Sequence, residues 1–206
     1  MTTVHPQVIV PDVAAWRAWL DENENTSTGV WLVLAKKGTS APTSLTYVQA
    51  LEEALCSGWI DGRRNAVDAG TYRQHFTPRR PRSLWSRCNA RIVTELAASG
   101  RVRPRGIAEV ERARTDGRWE RAYAGAATMP VPEDLLAALR ASPAAEESFL
   151  ALGSAARYPV LLDVTTARSE AVRRSRIARH VARLGPGEGE RRDGVNVSWS
   201  QGDSNP

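Results

Sequence analysis

The sequence predicts an α+β fold: a small antiparallel sheet packed by helices, followed by a helical C-terminal extension. Three observations lead there. The run VWLVLA, bounded by glycine-containing loops, reads as one buried strand. The segment from Ile60 to Thr77 alternates loosely around a turn signal at Asp68–Gly70 and reads as a hairpin. Apolar residues elsewhere recur at helical spacing, and past residue 125 the pattern predicts helices alone.

The elements follow in chain order. His5 falls in a terminus expected to be loose. DVAAWRAWLDE predicts a helix over 12–22, with Asp12 as its cap and Trp16, Trp19 and Leu20 on one face. The strand covers Val30 to Lys36. SLTYVQALEEALCSGW carries a capping box, Thr46 with Gln49 three residues on, and predicts a helix ending at Ser57-Gly58. The hairpin pairs 59–65 with 71–77. PRRP breaks the chain, and Ser83 is expected to open the next helix, which stops at Gly100. Pro104 starts another helix over 104–114. AGAATMPVPED reads as a linker. Helices follow in PEDLLAALRAS, in AEESFLALGS and in one long basic stretch around 160–184. The predicted organisation is an α+β domain over 1–124, a helical extension over 125–186 and a polar, glycine-rich disordered tail over 187–206.

Composition bounds the function. The 206 residues are 42% hydrophobic, enough for a core. No run approaches the roughly 20 apolar residues of a membrane helix. The first residues lack the basic and apolar regions of a signal peptide. Two cysteines are few for a secreted scaffold, so the expected compartment is the reducing cytoplasm, with a Cys56–Cys88 disulfide left open. The formal charge of +5 admits anionic partners. Lys36 and Lys37 are the only lysines among 28 basic residues, and an arginine excess of this kind also follows from GC-rich coding. There is no GxGxxG, P-loop, HExxH or paired CxxC, so neither a cofactor nor a metal site is expected.

The densest chemistry lies in CSGWIDGRRNAVDAGTYRQHFTPRRPRSLWSRCN, residues 56–89. It holds seven arginines, two tryptophans and two acidic residues. On an unbroken strand Trp59, Asp61 and Arg63 share a face. On the returning strand Tyr72, Gln74 and Phe76 alternate with Arg73, His75 and Thr77. PRRP brings Arg79 beside the start of the next helix, where Ser83 and Asn89 share a face and Trp85 lies in the first turn. A helix N-terminus flanked by arginine suits an anion. The segment fits two descriptions. One is a ligand pocket walled by Trp59 and Trp85, with Asp61, Arg63, Arg73, Arg79, Ser83 and Asn89 as polar groups. The other is a core in which the tryptophans pack and Asp61 pairs with Arg79 or Arg73. Lys37 is a further binding candidate, a compact ammonium at a strand end. The expected ligand is an anionic or polar-aromatic small molecule. In an enzymatic version Asp61 is the general base and His75 the acid–base group. Arg168, Arg173, Arg174, Arg176, Arg179 and Arg183 form a basic helix, but no DNA-binding spacing or stacking aromatics accompany them, which argues against nucleic acid.

EALCSGWIDG, TPRRPRSLWSRCN and GRWERAY, in this order and spacing, resemble the YdeI/OmpD-associated family, also called bacteriocin-protection proteins. The resemblance runs from about Trp16 to Tyr123 and resumes in FLAL and the arginine-rich helix near 168–184. The sequence departs from the pattern at Ser57, where a bulky residue often stands, and its last helix matches loosely. The resemblance implies a short antiparallel sheet packed by helices, no family-wide cofactor, and a link to tolerance of antimicrobial peptides and other stresses. Together these readings predict a cytoplasmic protein that binds and sequesters a small molecule. The alternative is a cofactor-independent isomerase, cyclase or hydrolase using the same pocket.

Overall fold

The computed structural model describes residues 4–39 and 41–185; the predicted tail over 187–206 lies outside them. The protein is α+β, and it divides into two compact units at Ala122/Tyr123.

The first unit is built on a four-stranded sheet of order β1-β2-β4-β3: β1 (Gln7–Val8), β2 (Val30–Ala35), β3 (Trp59–Ala66) and β4 (Thr71–Pro78). β2 pairs antiparallel with β4 from Val30↔Phe76 to Ala35↔Thr71, and β4 pairs antiparallel with β3. β1 joins parallel to β2. The terminus expected to be loose is therefore a sheet edge, and its anchors, the Trp31 N–H on the Pro6 carbonyl and the His5 ring on His75, are long-range contacts with no local signal.

Helices α1 (Val13–Asn23), α2 (Tyr47–Cys56), α3 (Arg87–Ala98) and α4 (Pro104–Thr115) complete the unit. Asp12 caps α1, accepting from the Ala15 N–H at 2.9 Å. Thr46 and Gln49 close the expected capping box on α2. Side chains from one sheet face form the core: Val30, Leu32 and Leu34 of β2 and Phe76 of β4 are buried with Trp16, Leu20, Leu51, Leu55 and Trp59. Full burial of each such side chain is worth about 1.5–3 kcal/mol. The Trp16 indole N–H donates to the Ala50 carbonyl at 3.0 Å and fixes α1 against α2.

α3 does not start at Ser83. Its cap is Ser86, whose Oγ accepts from the Asn89 N–H at 3.1 Å. The stretch before it is held extended because two buried guanidinium groups take its carbonyls: Arg118 binds that of Ser83 at 2.8 Å, and Arg79 that of Leu84 at 3.0 Å. Ser83 itself accepts from the Arg80 N–H at 2.9 Å and closes the PRRP turn.

Two buried glutamates tie the helices together. Glu53 of α2 receives Arg101 and Arg103, each at 2.8 Å. Glu109 of α4 receives Arg118 at 3.0 Å and pairs with Arg112. Buried carboxylates need such partners, since an unpaired charge in the interior costs several kcal/mol, on the order of 3–5 when a partner is removed.

The second unit is helical: α5 (Glu133–Arg140), α6 (Pro143–Ala151), α7 (Ser154–Thr165) and α8 (Glu170–Leu184). Leu135, Leu139, Phe149, Val160, Leu161, Val164 and Ile177 form its own core, joined by Ala124 and Met129 from the stretch read as a linker. The long basic helix expected over 160–184 is two helices. Ser169 caps the second, accepting from the Val172 N–H at 3.3 Å. Three arginines of α8 pair with carboxylates of the same unit: Arg173 grips Asp134, while Arg176, Arg179 and His180 converge on Asp163. Arg174 stands apart, lining a shallow apolar trough with Ala138, Ile177 and Val181.

Candidate functional site

The hairpin separates the predicted site residues by a register break. Asp61 lies opposite Phe76, but the next pair is Arg64↔Gln74, so Gly62 and Arg63 together face His75. This is a β-bulge, which re-aims the side chains that follow it. The Gln74 amide, 1% exposed, stabilises it from the core side by donating to the Gly62 carbonyl at 2.9 Å and the Arg63 carbonyl at 3.3 Å. The expectation that Arg63 continues the face of Trp59 and Asp61 assumed an unbroken period of two and is corrected here. Arg64 takes that side, its guanidinium 3.8 Å above the Tyr72 ring.

Asp61 therefore points to the helix-covered face with Phe76, and His75, the next residue along β4, points to the other. The structure does not bring the two proposed catalytic groups together. Asp61 instead accepts a hydrogen bond from the Tyr47 hydroxyl at 2.8 Å. Burial pushes the Asp61 carboxyl above the usual carboxylate range, offset in part by the Tyr47 hydrogen bond and the nearby Arg79 charge. Burial also pushes the Tyr47 hydroxyl up, reinforced by the Asp61 carboxylate. Tyr72 and Cys88 lie near enough to add to that shift. The result is a partly covered polar shelf formed by Tyr47, Asp61, Arg64, Tyr72 and Cys88, with Arg79 behind it. Sequence reasoning missed Tyr47. Its one local signal is its place as the first residue of α2, directly after the capping Thr46.

The two tryptophans are core rather than open walls. Trp59 is 0% exposed and meets Trp19 edge-on at 5.9 Å; Trp85 is 1% exposed and packs on Trp119 at 5.0 Å. Arg79 covers the other face of Trp85 at 3.5 Å, a cation–π contact in a desolvated setting. Arg79 and Trp85 are thus together, and the Arg79 charge lies near enough to act on the Asp61 carboxyl. Ser83 spends its side chain on the PRRP turn, and Asn89 binds the cap through its backbone. Lys37 is exposed in the turn after β2, at the hairpin-tip end of the sheet, because Ala35 pairs with Thr71 while Trp59 pairs with Pro78 at the other end. Its neighbour Lys36 donates to the Asp68 carbonyl at 2.6 Å.

On the opposite sheet face His75 stacks on Trp31 at 4.6 Å and meets His5 edge to edge, the His5 Nδ1 2.7 Å from its Nε2. Arg73 lies over the far side of Trp31 at 4.7 Å. Burial, then the neighbouring His5 and Arg63, push His75 down to about 4.

The raised Asp61 pKa sets a sign for stability. Between the ordinary aspartate value, about 3.9, and the higher folded value, the native state binds more protons than the unfolded chain. Stability is therefore expected to fall as pH rises through that interval. Asp61→Asn is expected to abolish this component in denaturant titrations run from pH 4 upward, while Tyr47→Phe, which removes the bond favouring the carboxylate, is expected to move the fall to higher pH.

Comparison with known families divides the chain in the same way as its cores. Residues 8–109 match a domain of unknown function, DUF8412. Residues 128–187 match the family described as bacteriocin-protection, YdeI or OmpD-associated. No curated protein and no solved structure matches. The resemblance read from the central segment thus holds for the family but not for the place: the matched residues are those of FLAL and the arginine-rich last helix, and most of the stretch from Trp16 to Tyr123 matches the other model.

Proposed function

With residues 128–187 matching the bacteriocin-protection, YdeI or OmpD-associated family, we propose that the protein is a cytoplasmic resistance factor that binds and sequesters an antimicrobial or other natural product of small size. One observation carries the choice of site: a carboxyl group withdrawn from water and held by a tyrosine hydroxyl, on a hairpin otherwise rich in arginine. Protonated, Asp61 donates a hydrogen bond to an anionic or polar ligand. Arg64 supplies charge, and Tyr72 supplies an aromatic surface beneath it. Free thiols at Cys56 and Cys88 support a reducing compartment.

Purified protein incubated with a metabolite extract and filtered is expected to retain a compound of unchanged mass. Asp61→Asn keeps the shape and the donor but fixes the group neutral, so retention is expected to persist and lose its pH dependence. Tyr47→Phe removes the bond that favours the carboxylate, so its retention is expected to persist to higher pH than that of the wild type. Retention in Tyr47→Phe with the same pH dependence as wild type moves the site elsewhere.

The Asp61–Tyr47 pair also favours a second reading, a cofactor-independent enzyme. A carboxyl with a raised pKa beside a tyrosine is suited to proton transfer. Consumption of a compound far beyond the molar amount of protein, lost in Asp61→Asn, distinguishes this from sequestration.

A further inference from the structure

We propose that the His5–His75 contact is an acid-released latch that holds the N-terminal strand on the sheet. The geometry is specific. His5 Nδ1 and His75 Nε2 face each other at 2.7 Å, a distance that requires one shared hydrogen. The His5 ring lies flat against Gly29, where an added Cβ would sit 2.8 Å from it, so the position accepts the ring only because residue 29 has no side chain. His75 also stacks on Trp31 at 4.6 Å, and Arg73 lies over the Trp31 ring at 4.7 Å. The strand it secures is short. β1 registers only Gln7↔Trp31 and Val8↔Leu32, and the Gln7 amide reaches Arg73 at 3.4 Å.

Proton counting gives the switch. The neutral pair holds one hydrogen between the facing nitrogens. One added proton still leaves a single hydrogen between the facing nitrogens, and the bond survives as a charge-assisted one. A second proton, on His75, puts two N–H groups on one axis and two cations in contact. The charged groups around the pair make this worse. Arg63 from β3 and Arg73 from β4 are both cationic, and among the described residues no carboxylate stands within ion-pair distance of either ring. Burial, then His5 and Arg63, hold His75 down to about 4, so the native state takes up its proton later than an unfolded chain does. For a group depressed in this way the contribution is complete above the unfolded value, about 6.5, and is lost as pH falls toward 4. Release withdraws Val8 and Val10 from the core and bares the outer hydrogen-bonding edge of β2.

The test is amide hydrogen exchange by NMR on the full chain at pH 7 and pH 4, corrected for intrinsic rates. The reporter is the Trp31 N–H, which donates to Pro6 at 2.8 Å, and amides bonded between β2 and β4 are the internal control. Protection of Trp31 is expected to fall at least tenfold more than the control at pH 4, together with titration of His75. His75→Phe keeps a ring in the stack and takes no proton, so its Trp31 protection is expected to be the same at both pH values. If that variant does not fold, His5→Phe serves the same comparison. Trp31 protection that is independent of pH in the wild type, or that falls equally in the phenylalanine variant, overturns the latch.

Discussion

Glu53→Ala is expected to lower the unfolding free energy of the first unit by about 3–5 kcal/mol, the cost of breaking a buried ion network by removing its centre. The Glu53 side chain is 5% exposed, and its two oxygens bind Arg101 and Arg103. Arg103 is itself 10% exposed and also donates to the Ser57 hydroxyl at 2.5 Å and the Glu53 carbonyl at 3.1 Å, with Asp21 of α1 on its remaining side. One carboxylate therefore orders α1, the C-terminal turn of α2 and the approach to α4. Its loss leaves the Arg103 guanidinium buried with a single exposed carboxylate. Urea unfolding followed by tryptophan fluorescence suits the measurement, because six of the seven tryptophans precede residue 123. Glu53→Leu combined with Arg103→Met is expected to recover much of the loss, since a packed apolar pair carries no desolvation penalty. A loss below about 1 kcal/mol in the alanine variant, the level of a surface pair, would show that the network contributes no more than exposed ion pairs do.

Gly106→Ala is the second large effect, and its sign is the diagnostic. Helix propensity alone predicts a gain of about 1 kcal/mol for this change inside a helix. Gly106 is the third residue of α4, and the missing Cβ is what lets that helix lie on the end of α2. An added methyl would collide with the Cys56 carbonyl oxygen, a rigid backbone atom, and would sit 2.8 Å from Val102 Cγ1. The same carbonyl receives the Arg103 N–H at 3.0 Å, so it cannot swing away without loss. α4 must shift, and a destabilisation of about 3 kcal/mol, at the upper end of overpacking, is expected in the same unfolding assay. A stabilised variant would mean that the two backbones do not approach this closely.

Neither effect is visible in the sequence, for a shared reason. α1, the α2 capping box, β2 and the hairpin were legible because their signals lie within a turn or two of the residues they govern. Asp12, Thr46 with Gln49, and the Asp68–Gly70 turn act locally. Glu53 and Gly106 owe their weight to partners some 50 residues away in the chain, Arg103 and Cys56. The start of α3 was misplaced for the same cause: Ser83 and Ser86 are equal as caps, and the choice is made by Arg79 and Arg118 binding carbonyls upstream of the helix. At the site, Asp61, Arg79 and Trp85 were legible as a cluster because one hairpin and one turn hold them. Tyr47 and the bulge were not. Nothing local announces that a tyrosine opening α2 meets a strand carboxylate, or that Gln74 supports an extra residue in β3. The place of β1 was hidden too, because two paired residues carry no periodicity.

The bulge at Gly62–Arg63 has a consequence for how copies of this protein meet. β3 is the outer strand on one side of the sheet, and a flat outer strand invites a second molecule to add its own. Here the ladder is interrupted midway, the strand twists away, and Arg63 and Arg64 stand exposed beside the break, so an approaching strand finds neither continuous register nor neutral charge. The other side has no such built-in guard, and β2 is covered there by β1. Self-association is therefore expected to be asymmetric in origin: strand addition at β3 is disfavoured, and an oligomer formed in acid is expected to grow from the β2 side.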